Sequence, residues 1–445
     1  MRALGAIAAF VVIAILTAGP VAAGPSHELR SASGVSIADA LEFRSTFGFS
    51  TELDEVTATL KDPMADTTWG TPLTAVEAAN MADRQRLALL ADPLEVFIAT
   101  KADSFGGIYY DQNLGSLIAN IATTAATPDE DIAKAMALVP DGLSVNTVLV
   151  TYTMAELEAA EYQLADATGK LGLTMVGIDT RNNGLVATVS PGQDPTGPQR
   201  AVAVPVTVKI GEGLRPASCW NTCSPWRGGM NIWDQSFPAE GNCTWGFYGT
   251  RGAAAKYVIS AGHCGKIGHV LRIKNPSNST IVFTDGIDQN TYDLELDAIS
   301  ESDAQTAHVK ANTSATSPFN SIIGSSSDLN HTITGIKGTN QNVGASVCFF
   351  GYTSHRASPC GTITFINIID DTTRADDGKP LRITNLREMS LPSAGGDSGG
   401  PVYSGLLAYG INYAVDTTAS NHLVYSMIAN VQLNTGTNVC TSSAC

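Results

Sequence analysis

The chain has 445 residues, of which 15% are charged and 44% hydrophobic, and its formal net charge is −16. That length implies more than one domain, and the composition is that of a globular chain rather than a disordered one. The negative balance argues against nucleic acid as a partner, because such binding needs a basic patch. The charge is uneven: residues 217–445 carry 13 Lys and Arg against 17 Asp and Glu, so most of the excess acid lies before them.

The chain opens with "MRALGAIAAFVVIAILTAGPVAAGPS". Arg2 precedes an apolar run, and Pro20 and the small residues Val21 and Ala23 close it, the pattern of an export signal over residues 1–23. A membrane anchor is the competing reading, which Pro20 and the small residues disfavour. No later apolar stretch is long enough to span a bilayer.

Residues 25–135 are Ala-rich, and "TAVEAANMADRQRLALLADPLEVFIATKA" predicts helices, with Thr74 and Glu77 as a capping box. "FGGIYYDQNLGSLIANIAT" predicts a hairpin turning at Asn113 and Gly115. Residues 145–190 predict strand, helix and strand, with a turn at Asn183-Gly184 inside the last piece. "SPGQDPTGPQ" and "IGEGLRPAS" then place a domain boundary near 215. Beyond it, short Val-, Ile-, Thr- and Tyr-rich runs are divided by Gly, Asn, Ser and Pro, which predicts an all-β sandwich or barrel.

All eight cysteines fall after residue 218: Cys219, Cys223, Cys243, Cys264, Cys348, Cys360, Cys440 and Cys445. An even number in the later part of an exported chain reads as disulfides. Zinc is the rival, but no paired C-x-x-C knuckles are present.

The residues that can carry chemistry cluster in two places. "GGDSGGP", residues 395–401, sets Ser398 among four glycines beside Asp397. A serine hydroxyl needs a base to take its proton. Among seven histidines, His263 in "YVISAGHCGK" stands where a strand ends beside a cysteine, a rigid mount for a base. His269 and His308 read as surface or packed residues, and His355 as a loop residue. "GDSGG" also fits G-x-S-x-G, the nucleophile elbow of α/β-hydrolases, with Asp416 and His422 following in the required order. That alternative needs a helix after the serine, where Pro401 and β-branched residues stand instead.

"SAGHC" (260–264) and "GGDSGGP" (395–401) together resemble the chymotrypsin-like serine proteases. The bacterial branch containing streptogrisins and α-lytic protease is closer. "CTWGFYGTRGAAAKYVISAGHC" (243–264) and "VCFFGYTSHRASPCGTI" (347–363) look like that branch's first barrel strands and its disulfide loop. "TYTMAELEAAEYQLAD" and "IDTRNNGLVATV" look like its pro-regions. The resemblance implies an all-β double six-stranded Greek-key barrel over 216–445, preceded by an α+β pro-region over 24–215. It implies Cys243–Cys264 and Cys348–Cys360 bridges, Ser398 as nucleophile, His263 as general base, and the N–H groups of Gly396 and Ser398 as an oxyanion hole. Polypeptide substrates and the chain's own pro-region would be its partners, with no cofactor, no metal and no membrane after signal cleavage, and the protein would be secreted.

The acid of the implied triad lies between His263 and Ser398 in this family, and "TYDLELDAISESDAQTAHV" offers Asp293, Asp297 and Asp303. Asp293 and Asp297 project from the polar face of an alternating strand; Asp303 follows that strand, at the spacing the family suggests. Asp397 in relatives is buried and paired with a cation, for which Arg356 is the guess. Pro392 stands where trypsin-like members carry a carboxylate, so a Lys or Arg preference at the scissile bond has no support there. Pairing of Cys219, Cys223, Cys440 and Cys445 is open between two local loops and a bridge joining the ends of the domain. An inactive homologue that binds peptides or cell wall, and an esterase, are the rival functions.

Overall fold

Three helices of the first part begin at capping boxes. Ser36, Thr74 and Thr153 each accept the backbone N–H three residues on, and Asp39, Glu77 and Glu156 reach back to the cap. Orphan N–H groups at both positions are thereby satisfied, which starts the helices Ile37–Phe47, Ala75–Leu90 and Met154–Asp166 where the sequence predicts helix for the last two. Pro93 at the start of Asp92–Ala99 sits where its missing N–H costs nothing.

This computed structural model describes residues 35–211, 214–215, 227–234, 242–252, 255–265, 271–274, 281–283, 285–290, 299–308, 319–324, 328, 330–354, 359–373, 380–417, 421–443 and 445. The expected export signal, His269, His355, Arg356, Asp293, Asp297, Cys219 and Cys223 lie outside the described residues. No helix among the described residues is long and apolar enough to cross a membrane.

The predicted hairpin forms from Phe105–Asp111 and Ile118–Thr123, with Gly115 at φ +77° in the turn. Ser144–Leu149 adds parallel to it. A second hairpin, Leu173–Asp179 and Gly184–Val189, turns at Asn183 with φ +48°, a backbone region that Asn tolerates better than most residues. Val206–Ile210 runs parallel beside Gly184–Val189.

The later part is strand-rich as expected. Phe247–Arg251, Ala255–Ser260, Gln305–His308, Asp285–Asn290 and Asn438–Val439 make one sheet. Asn231–Asp234, Asn242–Thr244, Leu271–Lys274 and Ile281–Phe283 make another. A third sheet contains the long strands Cys360–Thr373, Pro380–Pro392, Leu407–Asp416 and His422–Met427.

That third sheet does not stop at the boundary read near 215. Leu173–Asp179 pairs antiparallel with Cys360–Thr373, Ile178 opposite Ile366 and Val176 opposite Ile369. An exposed edge strand invites a further strand, and here the early part of the chain supplies it. Leu214–Arg215 adds a second seam, antiparallel to Leu407–Asp416 with Arg215 opposite Val415. The cores follow suit. Phe43, Phe47, Trp69 and Met81 pack in one cluster with Ile411, Ile428 and Val431.

Candidate active site

The loop bearing Ser398 is stapled to the Leu407–Asp416 strand: Gly399 N–H donates to the Asn412 carbonyl at 2.7 Å, and Asn412 N–H returns to Gly400 at 2.9 Å. Two glycines of the loop serve close packing. A Cβ on Gly399, at φ +84°, would fall 2.1 Å from Ser260 Oγ and 2.4 Å from the Thr244 carbonyl oxygen. One on Gly400 would fall 2.7 Å from the Phe350 carbonyl oxygen. Gly396 has φ +104°, which an L side chain rarely adopts. Pro401–Ser404, after the serine, is a strand and not the helix that an α/β-hydrolase elbow requires.

His263 sits in the short turn Gly262–Cys264 at the end of Ala255–Ser260. Cys264 is bridged to Cys243, which ties that turn to the neighbouring sheet. Asp303, fully buried, grips His263 twice. Its Oδ1 accepts the His263 backbone N–H at 3.0 Å, and its Oδ2 lies 2.5 Å from Nδ1. A proton on Nδ1 satisfies this contact and leaves Nε2 as the basic nitrogen. Nε2 is buried with no hydrogen-bond partner among the described residues. Asp303 is itself fixed by donating its N–H to Ser426 Oγ at 3.0 Å.

Asp397 is buried and accepts the backbone N–H groups of Ala394 (2.8 Å), Thr353 (2.8 Å) and Ser354 (3.0 Å). Burial raises its pKa, and these three donors act against that shift. Among the described residues its donors are backbone amides, while Arg356, the cation the sequence suggests, lies outside them. A carboxylate can be held by dipoles as well as by an ion, provided enough donors converge.

Asp416 and His422, the acid and base of the elbow alternative, each face another group. Asp416 Oδ2 lies 3.5 Å from Lys209 Nζ, while His422 Nδ1 lies 3.0 Å from Glu388 Oε1. Cys348–Cys360 and Cys440–Cys445 are also bridged, so the last pair takes the local solution. Cys243, His263 and Cys264 bring ligand-type atoms together, but both sulfurs are spent in the disulfide, leaving one imidazole.

No family model matches the chain, and no curated protein matches its sequence. Among solved structures it is similar to Nocardiopsis protease (NAPase), at 21% identity over 48% of this chain and 97% of that one, TM-score 0.35. It is similar to Thermobifida fusca Protease A, at 22% identity over 48% and 98%, TM-score 0.35. A protein titled alpha-lytic protease homolog N4 matches at 21% over 48% and 97%, TM-score 0.34. Over about half its length the chain resembles bacterial chymotrypsin-like serine proteases.

Two parts of this candidate site were not legible in the sequence. Thr244 clamps two segments, the 395–401 loop and the Ala255–Ser260 strand: its N–H donates to the Ser398 carbonyl (2.7 Å), its hydroxyl to the Gly396 carbonyl (2.6 Å), and its carbonyl accepts Ser260 Oγ (2.9 Å). Only its place after Cys243 could have drawn attention to it. Tyr413 is the other. Its ring stands edge-on to His263 with centroids 6.0 Å apart, its carbonyl accepts Ser398 Oγ at 3.3 Å, and its hydroxyl donates to Asp370 Oδ2 at 2.5 Å. Burial pushes the Asp370 carboxyl up to about 7, and Asp371 and Asp303 add to that shift.

Proposed function

We propose that this chain is a secreted serine endopeptidase made as a proenzyme. One observation carries the reading: His263 is held through Nδ1 by the buried Asp303, leaving a basic Nε2 with no partner among the described residues. In the reaction, Ser398 Oγ bonds to the scissile carbonyl carbon while its proton passes to His263 Nε2. The N–H groups of Gly396 and Ser398 would receive the oxyanion, a contribution on the order of 3–4 kcal/mol per donor. The intermediate collapses, the C–N bond breaks, and His263 returns the proton to the leaving amine. Water, deprotonated by the same imidazole, then releases the acyl group and restores Ser398.

The proenzyme reading assigns 1–23 to an export signal, 24–215 to a pro-region and 216–445 to a protease of two six-stranded Greek-key barrels. Its support is the seam at Leu214–Arg215, which occupies the edge of the strand next to Ser398, and the complete burial of Ser398. A pro-region that assists folding has a physical motive, since barrels with non-local pairing fold slowly.

Diisopropyl fluorophosphate tests the assignment. Label on Ser398 of the processed protein, lost in His263→Ala, is the expected result. Absence of label on folded, processed protein would overturn it in favour of an inactive homologue that binds peptides. Comparing a chromogenic peptide with a simple ester separates peptidase from esterase.

A further inference from the structure

The strand Val206–Ile210, which the proenzyme reading gives to the pro-region, sends Lys209 into an acidic recess of the later part. Lys209 Nζ lies 3.5 Å from Asp416 Oδ2, 3.7 Å from Glu388 Oε1 and 4.6 Å from the centre of the Phe365 ring. Both carboxylates are fully buried, whereas Lys209 keeps some exposure. Phe365 and Glu388 are cross-strand partners, so the ring face and the carboxylate form one wall of the recess. Thr364 Oγ1 donates to Glu388 Oε1 at 2.9 Å and His422 Nδ1 lies 3.0 Å from the same oxygen, but Oε2 is buried with no hydrogen-bond partner among the described residues. A buried carboxylate with an orphaned oxygen beside an aromatic face is a site that still favours a cation.

Asp416 also ends the strand whose edge Leu214–Arg215 covers, with Asp416 opposite Leu214. A polypeptide lying along that edge therefore passes the recess. Removing the strand that carries Lys209 would take its ammonium away from both buried carboxylates, and losing one partner of a buried ion pair is unfavourable unless another positive charge enters.

We infer that Glu388, Asp416 and Phe365 form a cation subsite which Lys209 fills before processing and a substrate Lys or Arg side chain fills afterwards. The inference rests on the endopeptidase reading. It assigns a basic preference to residues other than position 392, where the sequence places a proline.

The test uses enzyme processed from the full chain and fluorogenic peptides that vary Lys, Arg, Gln and norleucine at each of the positions N-terminal to the scissile bond. At one position Lys or Arg should raise kcat/KM over norleucine by at least about tenfold, within the range of pocket discrimination. Glu388→Gln and Asp416→Asn should each shrink that ratio. Hydrolysis with no basic preference at any position, or a preference undiminished in both variants, overturns the inference and leaves the endopeptidase reading intact. No hydrolysis together with no fluorophosphonate label overturns both. If neither variant folds, inhibition of the wild-type enzyme decides: butylamine should compete with the lysyl peptide where butanol does not, and equal effects of the two would overturn the subsite.

Discussion

Ser398 Oγ donates to the carbonyl of Tyr413, 3.3 Å away, and not to His263, whose Nε2 has no partner among the described residues. For the proposed roles of nucleophile and base, the hydroxyl proton is aimed at an acceptor that cannot activate the oxygen. A serine side chain turns about one torsion, so the two states differ by a rotamer and not by a refolding step. Catalytic hydrogen bonds also commonly tighten only when substrate is bound.

The first prediction follows from that latent geometry. Ser398 is fully buried while the early part of the chain is in place. Processing should raise the rate of fluorophosphonate labelling at Ser398 by at least about tenfold, equivalent to roughly 1.4 kcal/mol of barrier. Mass spectrometry of timed reactions on unprocessed and processed protein measures it, and equal rates would contradict masking.

Asp303→Asn addresses the acid. The amide has nearly the carboxylate's shape, so the His263 turn should remain folded, but its N–H₂ group can face Nδ1 and reverse the tautomer. A fall in kcat of about 10⁴ near neutral pH is expected, by comparison with the same change in a known triad. Steady-state kinetics with a circular dichroism check measures it; a loss below about tenfold would remove Asp303 from the mechanism.

Asp370 makes stability depend on pH. Its carboxyl is held at about 7 in the folded chain by burial, against roughly 3.9 for an unperturbed Asp. The folded state keeps a proton that the unfolded state releases. The contribution is therefore whole below about pH 4 and is lost as pH rises through about 7. Asp370→Asn, which can still accept from Tyr413, should match wild type near pH 4 and exceed it at pH 8. Urea midpoints at the two pH values give the answer, and a gain confined to acid would contradict the sign.

Gly399→Ala should not yield folded protein, because the new Cβ meets Ser260 Oγ at 2.1 Å and the Thr244 carbonyl oxygen at 2.4 Å in a backbone conformation that already favours glycine. Gly252→Ala is the control. Gly252 also has a positive φ, +69°, but nothing lies within 4 Å of the added carbon. It should cost only about 1–2 kcal/mol, the left-handed backbone penalty. Yield and thermal midpoints of the two variants separate packing from backbone strain.

Local features were readable from the sequence because their causes are local. Thr74 and Glu77 are three residues apart, so their capping box is visible in the string, as is the Asn183-Gly184 turn. "GGDSGGP" and "SAGHC" single out Ser398 and His263 through their resemblance to a family's motifs, and the even cysteine count in the later part points to disulfides. What the string could not rank was geometry over long separations. Asp303 is 40 residues from His263, and spacing favours it over its neighbours without showing the two-point grip on the imidazole.

The sequence thus determined the elements and the residue types capable of acyl transfer, because propensity, capping and turn chemistry act over a few residues. Only the tertiary structure decided which of them meet. It joined Leu173–Asp179 to Cys360–Thr373, aimed three backbone amides at Asp397, put Tyr413 between Ser398 and Asp370, and set Lys209 against Glu388 and Asp416. Those pairings depend on which sheet edge each strand finds and on which charges burial forces together, and neither is written in any short stretch of the chain.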